Sequence, residues 1–186
     1  MSAPASQSPS PPAPTPEGNR WRQLRIVKIV INIGVGESGE RRAKAERVLN
    51  MLAKQKPVAT RSHSTNRDFG IREGQEIGAK VTLRREAATD FLRRAFEARD
   101  NQIDPDSIDA DGNLSFGIRD YTDFTGMKYD PGIGIFGLNI SVEIGRAGWR
   151  VRDRRTKPST LPSHVRVSSD ETRKFLVGQF GVTLLE

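Results

Sequence analysis

Cysteine is absent from the 186 residues of this chain. Disulfides, thiolate metal sites and a cysteine nucleophile are therefore excluded, and the composition fits a reducing compartment such as the cytoplasm. The only two histidines, His63 and His164, lie far apart in the sequence and form no H-x-x-x-H pair, so no zinc site is predicted. No apolar run approaches the length of a membrane span, and the first residues lack the basic start and apolar middle of a signal peptide. We therefore expect a soluble, intracellular protein.

Acidic side chains are the minority among the charged residues. Lys and Arg number 30 against 23 Asp and Glu, which gives a formal net charge of +7. Such an excess favours binding to polyanions, with nucleic acid ahead of a membrane surface. The hydrophobic share, 35%, is low but sufficient for the core of one domain.

Catalytic patterns are also missing. No serine lies in a nucleophile elbow, and no pair of carboxylates is spaced for acid–base work. Asp109, Asp111 and Asn113 resemble the start of a calcium loop, but Leu114 stands where that loop needs glycine. The Asp111–Gly112 pair is better interpreted as a turn. The sequence therefore predicts no enzyme, no cofactor and no metal site.

The N-terminal stretch differs in composition from the rest. Residues 1–19 hold six of the eleven prolines and no large aliphatic side chain after Met1, so they cannot bury enough surface to offset chain entropy. We predict a disordered, proline-rich tail over 1–19. Residues 20–186 are then a single α+β RNA-binding domain with a long basic loop near 60–76.

Alternating apolar and polar residues predict three strands. In the first, Val27, Ile29, Ile31 and Ile33 share one face, and Ile26, Lys28, Val30 and Asn32 share the other. The same alternation recurs over 77–84 and 138–144, where Asn139, Ser141 and Glu143 face outward. Strands with one apolar and one polar face are typical of a sheet that is covered on one side only.

Helical spacing predicts three helices. Residues 40–55 and 86–99 each carry an apolar stripe, and Pro57 is expected to close the first helix. A capping-box pattern at Ser168 predicts the start of a third helix. This helix should bury Phe175, Leu176 and Phe180 and end at Gly181. The predicted fold is α+β: a two-layer sandwich with a mostly antiparallel sheet, helices on one face and an open polar RNA-binding face.

A literal G-x-G-x-x-G spans residues 34–39, between the first strand and the first helix. A dinucleotide fold would also require an acidic residue about 20 positions on, and strands buried on both faces. Between Arg47 and Arg67 there is no Asp or Glu, and the later strands alternate. We therefore interpret the glycines as a tight strand-to-helix turn. A nucleotide-dependent enzyme stays as the alternative from a different class.

Positive charge is concentrated in two segments and on one strand face. The first segment, 54–72, contains Lys54, Lys56, Arg61, Arg67 and Arg72, accompanied by Gln55, Asn66 and Phe69. The second contains Arg146, Arg150, Arg152, Arg154, Arg155 and Lys157 around Trp149. Arginine beside an aromatic ring suits phosphate contact and base stacking. With Lys80, Thr82 and Arg84 on the open face, a polyanion lying across the sheet would contact all three groups, and RNA is favoured because no DNA-binding motif is present.

Several long motifs occur in an order that is typical of one family. "KIVINIGVGESGERRAKAERVLNMLAKQKPVATRSHSTNRDFGIREGQEIGAKVTLR" and "SFGIRDYTDFTGMKYDPGIGIFGLNISVEIGRAGWRVRDRR", with the C-terminal helix, closely resemble the archaeal branch of the universal large-subunit ribosomal protein L-five family. The resemblance runs from about Trp21 to the C-terminus and leaves only the proline-rich tail outside.

The resemblance implies a non-catalytic ribosomal protein of the cytoplasm. Its expected partners are 5S rRNA in the central protuberance, large-subunit rRNA, P-site tRNA and neighbouring ribosomal proteins, including a small-subunit protein at an intersubunit bridge. No membrane and no small-molecule substrate are expected. The rival of the same class is a free-standing RNA chaperone or regulator that uses the same surface.

The resemblance also assigns roles to residues of this sequence. The implied 5S rRNA contacts centre on Asn32, Gln55 and Thr82, and we add their neighbours Lys56, Lys80 and Arg84. The implied tRNA-facing loop contains Arg61, Ser62, His63, Asn66, Arg67 and Phe69. The implied basic patch for large-subunit rRNA contains Arg146, Trp149, Arg150, Arg152, Arg154 and Arg155. The family usually has a glycine where this chain has Lys54, and more lysines in the loop, where this chain carries Ser62 and His63.

Overall fold

The computed structural model describes residues 20–185, so the predicted disordered tail lies outside the described residues. The main elements are seven strands and four helices within that range. In chain order they are β1 (Arg25–Gly34), α1 (Glu40–Ala53), β2 (Val58–Arg61), β3 (Glu76–Leu83), α2 (Arg85–Glu97), β4 (Gln102–Ile103), β5 (Leu114–Ile118), β6 (Leu138–Gly145), α3 (Arg150–Asp153), α4 (Ser169–Phe180) and β7 (Thr183–Leu184).

Five of the strands form one sheet in the order β2-β3-β1-β6-β5. Every neighbouring pair in it is antiparallel. The short strands β4 and β7 form a separate parallel pair, which the sequence pattern did not predict. The antiparallel sheet confirms the predicted α+β class and is incompatible with the parallel sheet of a dinucleotide fold.

The hydrophobic core lies between one face of the sheet and the helices. Ile29, Ile31 and Ile33 of β1 are almost completely buried, and the intervening residues Val30 and Asn32 are only half-buried. The helices add the apolar stripes predicted for them, Ala45, Val48, Leu49 and Leu52 from α1 and Ala88, Phe91, Leu92, Ala95 and Phe96 from α2. The predicted arrangement, with helices on one face and the other face open, is confirmed.

The strict alternation predicted for β1 is wrong at its start. A β-bulge between Ile26 and Lys28 shifts the pairing with β6, so that Ile26 lies opposite the buried Ile144 and packs against the core. Val27 turns to the open face, where its side chain approaches Gly145. An extra residue in one strand of an antiparallel pair exchanges the faces of the residues before it, and the residue pattern alone did not reveal it.

The helix ends follow local signals, with one exception. Ser168 and Glu171 form the predicted capping box of α4, and Gly181 ends that helix in the left-handed region with φ 65°. Leu176 is buried as predicted, while Phe175 and Phe180 are half-buried. α1 ends at Ala53 rather than at Pro57. Lys54 takes a left-handed conformation and its amide donates to Asn50 O, which terminates the helix before the proline is reached.

The glycine loop is a strand-to-helix turn, as predicted. Gly36 and Gly39 have φ of 76° and 114°, which residues with a Cβ rarely adopt. The amides of Val35 and Gly36 both donate to Ile77 O, at 3.0 and 2.9 Å. Because these two amides are hydrogen-bonded to β3, they are not available to bind a phosphate.

Candidate nucleic-acid interface

The uncovered face of the sheet carries a continuous polar row. Asn32 in the central strand β1 is aligned with Lys80 of β3 on one side and with Asn139 of β6 on the other. Lys80 and Asn139 are exposed and Asn32 is half-buried. In an antiparallel sheet, residues directly opposite each other point to the same face, so these three side chains lie side by side.

A second row runs beside the first. Thr82, Val30 and Ser141 are aligned across β3, β1 and β6, and Ser115 of β5 is aligned with Ser141. Three of these four side chains carry hydroxyl groups, and all three are exposed. The two rows form a surface with hydrogen-bond donors and acceptors and one ammonium group. We call this surface the open face.

The remaining predicted 5S rRNA contacts lie at its margin. Gln55 and Lys56 are exposed in the connection from α1 to β2, which enters the sheet where Val58 is aligned with Lys80. Arg84 is exposed directly after β3. Asn139, Ser141 and Ser115 belong to the same surface but were not assigned to the site from sequence, although the alternation already placed the first two outward.

The long basic loop, residues 62–75, is a structured hairpin extension, which we call the finger. At its base Ser62 donates its amide to Gln75 O at 2.8 Å, and Gly74 donates to Ser62 O at 2.9 Å. Further out, Asn66 and Ile71 exchange two backbone hydrogen bonds, at 2.8 and 2.9 Å. Backbone pairing along its length pre-organises the finger before any partner binds.

The tip of the finger presents Phe69 to solvent. Residues 67–70 form a turn in which Gly70 donates to Arg67 O at 3.1 Å, and the Asn66 side chain accepts from the Asp68 amide at 3.0 Å. Phe69 is 75% exposed, more than any other large hydrophobic side chain in the described residues. His63, Asn66 and Arg67 are exposed as well, and Ser62 is half-buried.

The base of the finger is tied to the body at two points. Gln75 Nε2 donates to Ser38 Oγ of the glycine loop at 3.0 Å. Glu76 forms ion pairs with Arg61 and Arg42, at 3.5 and 3.4 Å. Arg61 is nevertheless largely exposed, so its guanidinium is available for a further contact. These ties orient the finger relative to the open face.

The second basic segment contains exposed arginines and one buried tryptophan. Arg150, Arg152, Arg154 and Arg155 are exposed on and after α3, as the prediction of a basic patch requires. Trp149 is only 8% exposed, and Arg152 lies over its ring with 4.7 Å between guanidinium carbon and ring centroid. With Arg152 in this position the indole face is covered, and it does not present the open base-stacking surface predicted from sequence.

Arg146 also differs from the prediction of an RNA contact. Its guanidinium donates to Arg22 O at 2.9 Å, to Arg166 O at 3.0 Å and to Glu171 Oε1 at 2.7 Å. Only 16% of its side chain is exposed. Every nitrogen of this guanidinium has a partner inside the fold, so Arg146 holds the fold together rather than facing a ligand.

The Arg146 contact changes the acidity of its partner. Burial disfavours ionisation of Glu171 and by itself would raise the pKa of this carboxyl. The hydrogen bond from Arg146, the Ser168 amide, and the positive charges of Arg146 and Lys174 together outweigh burial and hold the pKa below its ordinary value of 4.5. Glu171 is therefore a charged anchor at the start of α4.

Neither a metal centre nor a membrane span is found in the described part of the chain. Within 20–185, no group of three or more His, Asp or Glu side chains lies close enough together to hold a metal ion. Over the same residues, no helix is long and apolar enough to cross a membrane.

Comparison with known proteins identifies relatives that share nearly the whole chain. Residues 19–72 match the family described as "Ribosomal protein L5", and residues 76–175 match the C-terminal part of the same ribosomal L5 family. The large ribosomal subunit protein uL5 of Picrophilus torridus is 48% identical over 168 residues, which are 90% of this chain and 96% of the relative. The uL5 of Sulfurisphaera tokodaii is 44% identical over 175 residues, 94% of this chain and 99% of the relative. The matched regions include the open face and most of the finger.

Proposed function

The chain belongs to the ribosomal protein L5 family, and from this membership we propose that it is a structural constituent of the large ribosomal subunit that binds 5S rRNA in the central protuberance. The family is one of ribosomal structural components, so no catalytic role is proposed. The observation that carries the proposal is the row of Lys80, Asn32 and Asn139 on the polar face of the sheet, where Lys80 and Asn139 are exposed.

The chemistry of the open face suits an RNA backbone held in one register. Lys80, Arg84 and Lys56 supply positive charge for phosphates, and this attraction provides most of the affinity. Amide and hydroxyl groups such as those of Asn32 and Thr82 donate to and accept from riboses and base edges, which sets orientation. Gln55 extends this polar surface beyond the sheet.

For the finger we propose contact with P-site tRNA. Three features support this: the hairpin is braced by its own backbone hydrogen bonds, it is anchored by Gln75, and it presents Phe69 at its tip. An exposed aromatic ring stacks on or packs against a nucleotide, and Arg61 and Arg67 are available for phosphates. The proposal that a neighbouring part of the protein joins an intersubunit bridge rests on the family resemblance alone.

For the segment after β6 we propose contact with large-subunit rRNA through Arg150, Arg152, Arg154 and Arg155. All four side chains are exposed and concentrated within a few residues. We leave Arg146 and Trp149 out of the direct contacts to phosphate, because the first is bound within the fold and the second is buried.

A salt titration tests the proposal. The full chain is titrated against purified 5S rRNA over a series of monovalent salt concentrations. With several phosphate contacts, affinity should fall on the order of a hundredfold or more between low and moderate salt. No binding, or binding that is indifferent to salt, would contradict the proposal.

Sedimentation separates the ribosomal role from its rivals. In sucrose gradients of cell lysate, most of the protein should travel with large subunits, whereas a free-standing RNA chaperone would remain near the top. Equilibrium binding of NAD and ATP addresses the glycine loop, and saturable micromolar binding of either would revive the nucleotide-enzyme alternative.

A further inference from the structure

A cleft lies on the part of the open face that is remote from Lys80, over β6 and β5. It has a volume of about 380 Å³ and is lined on the sheet side by Lys28 and Glu143 and on the outer side by Trp149 and Arg152. We call it the sheet-side cleft. A second, outer cleft of about 560 Å³ has Trp149 and Arg152 as a common wall and is also lined by Arg166. Both volumes lie in the range of small-ligand sites.

Buried polar atoms that lack hydrogen bonds are concentrated around the sheet-side cleft. Among the described side chains, four buried nitrogen or oxygen atoms have no hydrogen-bond partner. Three of them belong to residues lining this cleft: Asn113 Oδ1, Glu143 Oε2 and Trp149 Nε1. Buried polar groups are almost always paired, and each exception needs an explanation. Glu143 Oε2 is paired with the Lys28 ammonium, so the two atoms at this cleft that have no partner of either kind are Asn113 Oδ1 and Trp149 Nε1. We take these two as positions where a ligand supplies the missing partners.

Glu143 is held in place by one ion pair, which leaves further acceptor sites on its carboxylate. Its Oε2 forms an ion pair with Lys28 Nζ at 2.7 Å, and the side chain is only 14% exposed. A carboxylate accepts several hydrogen bonds, and an amide oxygen such as that of Asn113 accepts two. The cleft therefore offers acceptors from Glu143 and Asn113 and donors from Trp149 and Lys28.

The charge of the lining excludes a phosphate and a metal ion. Asp109, Asp111 and Glu143 outnumber Lys28 and Arg152, so a phosphate would be repelled rather than held. The acids do not converge either, since in residues 20–185 no group of three or more is close enough to hold an ion. A neutral group that presents donors and acceptors side by side fits both facts.

We propose that the sheet-side cleft binds one unpaired guanine base of the RNA. Of the four RNA bases, guanine presents two adjacent N–H donors, N1 and N2, on its Watson–Crick edge, and these match the two oxygens of a carboxylate such as Glu143. The neighbouring O6 accepts from the indole N–H of Trp149 or from Lys28. RNA-binding proteins read unstacked bases through this edge and stack them on aromatic rings or guanidinium planes.

Arg152 forms the movable wall of the site. Its guanidinium covers the Trp149 ring, and 53% of its side chain is exposed. Displacement of Arg152 by the base uncovers the indole, and the guanidinium then stacks on the outer face of the base. The outer cleft, with Arg166 at its edge, receives the backbone phosphate of the same nucleotide. This inference rests on the proposed RNA-binding function and adds the identity of one bound base.

The test uses the full chain and three single-stranded heptanucleotides that differ at the central position: UUUGUUU, UUUAUUU and UUUIUUU, in which inosine lacks the N2 amino group. Fluorescence anisotropy should show guanine bound about tenfold or more tightly than adenine, with inosine between them. In the NMR spectrum of labelled protein, the two indole N–H signals belong to Trp21 and Trp149. Trp149→Phe assigns them, and the Trp149 signal should shift with the guanine and inosine oligonucleotides, which share O6, and not with the adenine oligonucleotide.

Two variants test the role of the Glu143 carboxylate in guanine binding. Glu143→Gln replaces one acceptor with a donor and should reduce guanine binding to the level of adenine. Arg61→Gln, in which one exposed cation of the finger base is lost, should weaken all three oligonucleotides equally.

Three outcomes would contradict the proposed guanine site. Equal affinity for the three probes, no measurable binding at about millimolar concentration, or an unmoved Trp149 signal overturns the inference. The wild-type comparison alone decides the question if Glu143→Gln does not fold. If 5S rRNA still binds with steep salt dependence while the guanine preference is absent, only this inference fails and the proposed function stands.

Discussion

Arg146 donates a hydrogen bond to the carboxylate of Glu171 across 2.7 Å, and this contact joins the end of β6 to the first turn of α4. The same guanidinium reaches Arg22 O, which lies 124 positions earlier in the chain. One side chain thus connects the segment before β1, the segment after β6 and the C-terminal helix. An arginine within a basic cluster is here a structural residue.

Replacement of Arg146 should destabilise the fold rather than weaken RNA binding directly. Arg146→Ala leaves two carbonyls and a carboxylate without their donor, and we expect a loss of about 2 kcal/mol or more in the free energy of unfolding. Arg146→Lys keeps the charge but not the fork of donors, and should be intermediate. Urea denaturation measures both. Arg150→Ala, at an exposed position of the same cluster, is the control and should change stability by less than about 0.5 kcal/mol.

The lowered pKa of Glu171 makes part of the stability dependent on pH. In the unfolded chain this carboxyl titrates near 4.5, and in the folded protein it titrates below that value. The folded state therefore binds fewer protons, and the stabilisation is complete above the unfolded value and is lost as pH falls through the folded one. Glu171→Gln should be less stable than wild type at neutral pH, and denaturation curves should show this difference shrinking as pH falls from about 4.5 through the folded pKa. A difference that is independent of pH would contradict the assignment.

Two glycines should respond oppositely to alanine. A Cβ at Gly78 would lie 2.7 Å from Ile33 O and 2.8 Å from Thr60 Oγ1, so β1 or β2 must shift. Gly78→Ala should destabilise by about 1–3 kcal/mol. Gly178 lies within α4 without a positive φ, and a Cβ added there would meet nothing within 4 Å, so Gly178→Ala should stabilise by about 0.5–1 kcal/mol. Thermal or urea unfolding of the pair measures both signs.

Lys80 should contribute one phosphate contact to 5S rRNA binding. In Lys80→Gln the slope of log affinity against log salt should fall by about 0.7–0.9, the loss of one released counterion. Arg93→Gln is the matched control, since it removes one exposed charge from α2 in the helical layer. Equal slopes for the two variants would place the RNA somewhere other than the open face.

Phe69 should matter for tRNA and not for folding. Because the ring is 75% exposed, Phe69→Ala should alter the free energy of unfolding by less than about 0.5 kcal/mol. Large subunits that carry this variant should bind P-site tRNA more weakly by on the order of 1 kcal/mol. Tyr129→Ala removes an aromatic ring that is 56% exposed outside the finger, and tRNA affinity should be unaffected by it.

Much of the architecture could be predicted from local pattern. Alternation in β3 and β6 identified the buried faces correctly, and the missing acidic residue after the glycine motif correctly excluded a dinucleotide fold. The parallel pairing of β4 with β7 was not predicted, because two-residue strands carry no periodicity. The bulge after Ile26 was not predicted for a related reason. The side chains around it are apolar or, like Lys28, long and flexible, so they fit on either face of the sheet and give no clear alternation.

Some features of the candidate site could likewise be predicted from the sequence, and others could not. The sequence by itself determined that Asn32, Lys80 and Thr82 share one polar face, because side-chain direction in a strand has a period of two residues. It also determined that Ser168 begins a helix and Gly181 ends it, because capping depends on neighbours only. Only the tertiary structure decided that Arg146 turns inward, that Trp149 is buried under Arg152, and that Glu143 and Asn113 meet at one cleft. The Arg146 contacts and the meeting of Glu143 with Asn113 join residues that are distant in the chain, and the spacing of residues along the sequence does not reveal them.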